Sequence, residues 1–233
     1  MAYDFRLSPD APYNVYNLGP EAEPLIVVDG LMAEPGRMVD FAADEGSYGP
    51  AGAAYPGIRC TIPETYMFNV HGALKPLIQS VFGVPVEQPM SLSASYSMIT
   101  QPAREMRHVQ RVPHIDRTGP HDLAMVHYLC GPEFGGTAFF RHRSTGFQRL
   151  TPNNQSIHDM AVSQELKTRV LPAQFPDAEH PLYEKVGHVD ARFDRLVVYR
   201  AGILHSPNIH QDSHFSADPR LGRLTVTAFL FAN

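Results

Sequence analysis

Cysteine is nearly absent from this 233-residue chain, and what little there is excludes a disulfide scaffold. Cys60 and Cys130 lie far apart and form no CxxC pair, so both are expected as buried thiols behaving as small hydrophobes. Clustered positive charge is also missing. The net charge is −5, and Arg104, Arg107 and Arg111 read as a solvated rim, so no phosphate-tracking groove and no nucleic-acid partner is indicated. No apolar run is long enough to span a bilayer, and the start Met1-Ala-Tyr-Asp-Phe-Arg lacks the basic and apolar stretches of a signal peptide. A cytoplasmic protein without a membrane partner is therefore expected. Repeats and low-complexity linkers are absent too. With 43% hydrophobic residues the chain can bury a real core, and one domain over 1–233 is expected.

Turn formers are abundant. Twenty-one Pro and seventeen Gly punctuate short apolar segments, which argues for many short strands and against a helical bundle. A strand is expected at Pro24–Val28, and helical spacing of Met38, Phe41 and Ala42 predicts a helix over about 34–45. A second helix is expected over 73–82, with Pro76 in its first turn. From Ser91 onward the texture changes. Alternation predicts strands at 91–100, 122–129, 195–200 and 223–231, and Gly135-Gly136 turns into another at 137–140. A helical insert is expected over 157–169. The fold class is thus mainly β with flanking α: an N-terminal α/β support over about 1–90, then a jelly-roll, cupin-like core over about 91–233 whose mouth can hold a ligand.

Twelve His and thirteen Asp are the raw material for chemistry. His-x-Asp should arise by chance roughly 0.7 times in such a chain, yet it occurs at His114/Asp116, His188/Asp190 and His210/Asp212. Spacing chooses among them. A His and an Asp two apart on an extended segment point to one side, and a third ligand must return on a strand beside them. Only His114/Asp116 leaves room for several strands before His205, which follows the apolar run Leu196–Tyr199. His210 and His214 are alternatives that no apolar strand flanks. Two imidazoles and one carboxylate on one side of an ion form the ligand set of a non-haem Fe(II) oxygenase.

The ordered set Tyr96, His114-Ile-Asp116, Met125–Leu129, Gly135-Gly-Thr137 with Phe139 and Phe140, Leu196–Tyr199, His205-Ser206 and Arg223-Leu-Thr225 resembles the Fe(II)/2-oxoglutarate-dependent dioxygenase superfamily, in its prolyl-hydroxylase-like branch. The likeness runs over about 91–231. It implies a double-stranded β-helix, Fe(II) held by His114, Asp116 and His205, and 2-oxoglutarate as cosubstrate. The far carboxylate of that cosubstrate needs a cationic fork, which Arg223 offers, with Thr225 beside it donating a hydroxyl hydrogen bond. The gap from His205 to Arg223 is longer than is usual for the family, so Arg220 is the alternative anchor. Tyr96 and Tyr128 are expected near the far carboxylate. Arg141, Arg143 and His127 are the candidate substrate contacts. His127 and Tyr128 are adjacent on a strand, so both cannot face the barrel without a bulge.

The implied reaction oxidises a small-molecule or side-chain substrate and releases succinate and carbon dioxide; Asp116 in a ligand position disfavours a halogenase. Three other readings stay open. One is a cupin-like dioxygenase or isomerase that uses the three ligands without 2-oxoglutarate. Zinc hydrolysis is another, and the last is a ligand-binding jelly roll with no catalysis.

Overall fold

The computed structural model describes residues 5–52, 55–210 and 215–233. The chain opens with strands β1 (Tyr13–Leu18) and β2 (Glu23–Asp29), helix α1 (Gly36–Asp44), short strands β3 (Gly49–Pro50) and β4 (Gly57–Thr61), and helix α2 (Glu64–Phe82). Strands β5 (Met90–Ile99), β6 (Leu123–Tyr128) and β7 (Gly136–His142) follow. Helix α3 (Gln155–Leu166) then precedes β8 (Tyr183–Asp190), β9 (Arg195–Arg200), β10 (His205–Asn208) and β11 (Leu224–Ala232). Every pairing is antiparallel. An eight-stranded sheet runs β1-β2-β9-β6-β11-β5-β4-β3, and a smaller one runs β10-β7-β8.

This is the mainly β, jelly-roll class of fold, a double-stranded β-helix with helices on its outer faces. Strand alternation builds the layers. On the large sheet, Tyr96, Met98, Met125, Leu196, Val198 and Val226 point to one face and pack under α1 and α2, beside Met38, Tyr66 and Val70. The other face carries Ala124, Val126, Tyr128, Val197 and Tyr199, and meets Phe139 of the small sheet. Beyond the small sheet, Ala138 and Phe140 pack with Leu150, Leu182 and Leu204, with Val162 and Leu166 of α3 against them. At about 1.5–3 kcal/mol for each fully buried large apolar side chain, both faces of the central strands stabilise the fold. None of the described helices is long and apolar enough to cross a membrane.

Helix α2 begins nine residues earlier than expected, at Glu64 rather than Ala73, so Pro76 lies inside it. Burial of Tyr66, Met67 and Val70 on the sheet outweighs the lost backbone bond at the proline. The helix stops at Gly83, whose φ of 66° lets its N–H reach the Gln79 carbonyl, a left-handed closure that glycine adopts without strain. The short strands β1, β3, β4, β8 and β10 were outside the sequence expectations; they are edge or near-edge strands with weak alternation. β8 contains His188 and Asp190, whose side chains turn to solvent while Val189 between them is buried. His210 is exposed on the loop after β10. Its neighbour Asp212, and His214, lie outside the described residues.

Candidate metal centre

His114 lies on an extended segment that adds to the free edge of the small sheet. Its N–H bonds to the His205 carbonyl and the His205 N–H bonds back to the His114 carbonyl, both at 2.9 Å. Two residues on, Asp116 N–H donates to the Ala201 carbonyl at 2.9 Å. One backbone register thus aims all three side chains the same way. His205 Nε2 lies 3.5 Å from Asp116 Oδ2, His114 Nε2 lies 4.0 Å from Asp116 Oδ1, and one ligand atom from each residue falls within 4.8 Å of the others. Metal–ligand bonds of about 2.1 Å require ligand atoms roughly 3–3.5 Å apart, so small side-chain rotations suffice for binding.

The electrostatics suit a cation. His205 Nδ1–H donates to the Ile203 carbonyl at 2.9 Å, which leaves Nε2 with its lone pair toward the cluster. Burial pushes the His205 imidazole down to about 4, so it is neutral and able to ligate. His114 is lowered as well, by burial and then by the charge of His205. Asp116 is raised by burial, against the pull of His114 and Arg59. Tyr199, edge-on to both Phe139 and His205, fixes the ring of His205 from behind. Two neutral imidazoles and a desolvated carboxylate converge without a cation in ion-pair contact among the described residues, a donor set that fits a divalent ion.

The three residues line a cavity of about 310 Å³ between the sheets, at the small end of ligand sites. Arg223 and Thr225 line the same cavity from β11 and the turn before it. Arg223 is buried. Its Nε donates to the Phe134 carbonyl at 3.2 Å and Nη2 to the Gly136 carbonyl at 2.9 Å, leaving its remaining N–H groups free of any acidic partner among the described residues. The Gly135-Gly136 turn makes that seat: a Cβ on Gly135 would strike the Asn208 carbonyl, and one on Gly136 the Val189 carbonyl. Tyr128 faces the same side, beneath the Arg223 guanidinium at 5.9 Å, with its hydroxyl 2.6 Å from Thr137 Oγ1. Arg220, the alternative anchor, lies outside and pairs with Asp40 and Asp44 of α1.

Five placements differ from the sequence expectations. Tyr96 points away from the cavity, stacked on Phe41 of α1, because it shares the parity of Val226 rather than that of Thr225. His127 also faces the helices; it accepts from the Tyr66 hydroxyl at 3.0 Å and donates to Asp194 at 2.9 Å, so it is a structural link and no substrate contact. Arg141 donates to the Gly146 carbonyl beside Glu184, and Arg143 projects to solvent; neither lines the cavity. Thr225 donates its hydroxyl hydrogen to the Ser97 carbonyl at 3.1 Å, so it presents an oxygen to a ligand and not the expected donor. Arg59 and Tyr55, which the sequence expectations missed, do line the cavity. The available signal was an arginine between Ile58 and Cys60 in a short segment closed by Gly57 and Pro63.

The sequence profile of DUF6445, a family of unknown function, matches residues 9–230. The chain belongs to DUF6445. No curated protein matches this DUF6445 chain by sequence. Similar solved structures include the non-heme alpha ketoglutarate dependent epimerase SnoN from nogalamycin biosynthesis, at 13% identity and a TM-score of 0.48, over 90% of this chain and 78% of that one. HygX from Streptomyces hygroscopicus, crystallised with nickel and 2-oxoglutarate bound, is similar at 11% identity and a TM-score of 0.48, over 91% and 84%. An N-substituted L-amino acid dioxygenase from Burkholderia ambifaria AMMD is similar at 10% identity and a TM-score of 0.43, over 97% and 94%.

Proposed function

We propose that this chain is an Fe(II)- and 2-oxoglutarate-dependent oxygenase acting on a small molecule or an exposed side chain. The observation that carries the reading is the convergence of His114, Asp116 and His205 on one wall of a cavity that also holds a buried arginine without an acidic partner. His114, Asp116 and His205 would hold the iron, and Arg223 would seat the far carboxylate of 2-oxoglutarate. When bound, the pair supplies oxidative decarboxylation to succinate and carbon dioxide, coupled to oxidation of the substrate by dioxygen.

The chain contributes position and dryness. Asp116 brings the charge that balances part of the cation, and the Ile203 carbonyl keeps His205 in the tautomer that ligates. Val112, Ile115 and Phe175 wall the cavity and exclude water from it. Placement within the prolyl-hydroxylase-like branch rests on the order of sequence elements over 91–231.

Anaerobic titration of the Fe(II)-loaded protein with 2-oxoglutarate tests the reading. The expected result is a metal-to-ligand charge-transfer band, followed under air by Fe(II)-dependent succinate formation. No band in the wild type overturns it, and a band that survives in the double variant Asp116→Ala/His205→Ala shows that the ligands are others. Metal-dependent activity that needs neither 2-oxoglutarate nor Arg223 would instead favour a cupin-like enzyme.

A further inference from the structure

Two arginines, and not one, face the cavity, and they serve different positions. Arg59 on β4 opposes Ser97 on β5, which opposes Thr225 on β11, so Arg59 and Thr225 stand on one rung of the sheet, about 10 Å apart across two strand spacings. Arg223 starts two residues further along. The Arg59 guanidinium lies 4.7 Å above the Tyr55 ring, its Nε is buried without a hydrogen-bond partner among the described residues, and the Tyr55 hydroxyl, near Thr225, is buried and without a full hydrogen bond too. Among the described residues no carboxylate comes within ion-pair distance of Arg59. A buried donor left unsatisfied costs about 1–3 kcal/mol, so two of them in one cavity mark a place where a ligand completes the bonding.

The surroundings set Arg59 apart from Arg223. The charge of Arg59 bears on His114 and Asp116 and that of Arg223 on Tyr128, Cys130 and Tyr199, while Tyr55, near Thr225, feels both arginines and so stands between them. Arg59 is therefore the cation nearer His114 and Asp116, and Arg223 the one nearer Tyr128. Among the described residues the fixed charges lining the cavity are two arginines and Asp116. A divalent ion would bring the total to plus three, and a dianionic cosubstrate would leave a surplus of one positive charge. The cavity that Arg59 lines also has apolar wall: Ala51, Pro56, Val109, Val112 and Phe175, the last in the cluster against which Tyr55 packs.

We propose that Arg59 and Tyr55 form a second anion seat, which receives a single carboxylate of the primary substrate, a small acid with an apolar body. This rests on the oxygenase reading for the role of the first seat, but the second seat can be tested separately. Guanidinium nitrogens and the phenol O–H donate to the carboxylate oxygens, and the apolar walls take the rest of the molecule.

The test uses the full-length protein loaded with Ni(II), with and without saturating 2-oxoglutarate, and reads binding by calorimetry and by thermal shift. The probes are phenylacetate and 3-phenylpropanoate, each set against its neutral amide. In the wild type with 2-oxoglutarate present, the acids are expected to bind about tenfold or more tighter than the amides. Arg59→Gln should erase that preference while changing 2-oxoglutarate affinity by less than about threefold, and Tyr55→Phe should reduce the preference without perturbing the fold. Arg223→Gln should do the reverse, weakening 2-oxoglutarate and sparing the acid preference.

Equal binding of acid and amide, or no binding of either, in the wild type overturns the second seat. So does an Arg59→Gln protein that loses 2-oxoglutarate as badly as Arg223→Gln, which would put both arginines on the cosubstrate. Failure of the wild type to bind 2-oxoglutarate, with an Arg59-dependent acid preference intact, overturns the oxygenase reading and leaves the seat standing.

Discussion

The backbones of His114 and His205 exchange two hydrogen bonds of 2.9 Å, which holds their rings side by side with centroids 4.4 Å apart. Such a hydrogen-bonded antiparallel pair fixes the two Cα atoms at about 5.5 Å. The two candidate nitrogen ligands are therefore placed by sheet register rather than by side-chain chance, and preorganisation of this kind is what a metal seat needs.

One divalent metal per chain is the expected stoichiometry. His114→Ala, Asp116→Ala and His205→Ala should each weaken it by more than the roughly 10–100-fold that changes to supporting residues cost. Anaerobic calorimetry with Fe(II), checked by metal analysis of the purified variants, measures this. Asp190→Ala should leave binding unchanged, because that side chain faces solvent.

Acid should destabilise the metal-free protein early. Both imidazoles have folded values below the ordinary 6.5, with His205 at about 4, so between these limits the unfolded chain binds more protons and stability falls as pH drops. The contribution of His205 is on the order of 3 kcal/mol at pH 7 relative to pH 4. Thermal melts of the metal-free protein from pH 7 to 4 should show a steep decline that His205→Gln flattens. Metal affinity should hold through pH 6, since neither ligand is protonated there, and fall below about pH 5.

Arg223→Gln should weaken 2-oxoglutarate binding to the metal-loaded protein about tenfold or more, and Arg220→Gln should leave it unchanged. Thr225→Val is the informative companion. Its hydroxyl serves Ser97, so the variant is expected to lose about 1 kcal/mol of stability with little change in cosubstrate affinity. A large affinity loss in Thr225→Val would show that the hydroxyl turns to the ligand.

His127→Leu should cost about 3 kcal/mol, because it leaves Asp194 buried with its side-chain partner gone and the Tyr66 hydroxyl without its acceptor. Chemical denaturation reads the loss. Metal binding by the folded fraction should be unaffected, which separates this buried link from the ligand set.

Much of this was legible in the linear chain. Alternation over 91–100, 122–129, 195–200 and 223–231 marked the four central strands of the large sheet's ligand-facing half, and the long gap before His205 selected one His-x-Asp pair from three. Parity alone showed that His127 and Tyr128 must face opposite ways. It could not show which of them faces the cavity. Every residue of β6 is buried, one face under helices and the other under a second sheet, so the usual contrast between apolar inside and polar outside is missing. That is why His127 was expected at the site, and Tyr96 on the wholly buried end of β5 is the same case, whereas Arg59 was missed because β4 itself was outside the expected strands.

What the amino-acid order determined by itself was the class of fold, the run of central strands and a candidate ligand pair with a distant third member, because period-two patterning and spacing are local properties of a chain. Only the tertiary structure decided which face of each strand meets the cavity, that Arg223 turns inward while Arg220 ties down α1, and that Arg59 stands near the triad. Those outcomes depend on register between strands remote in sequence, and register is set by the packing of whole sheets.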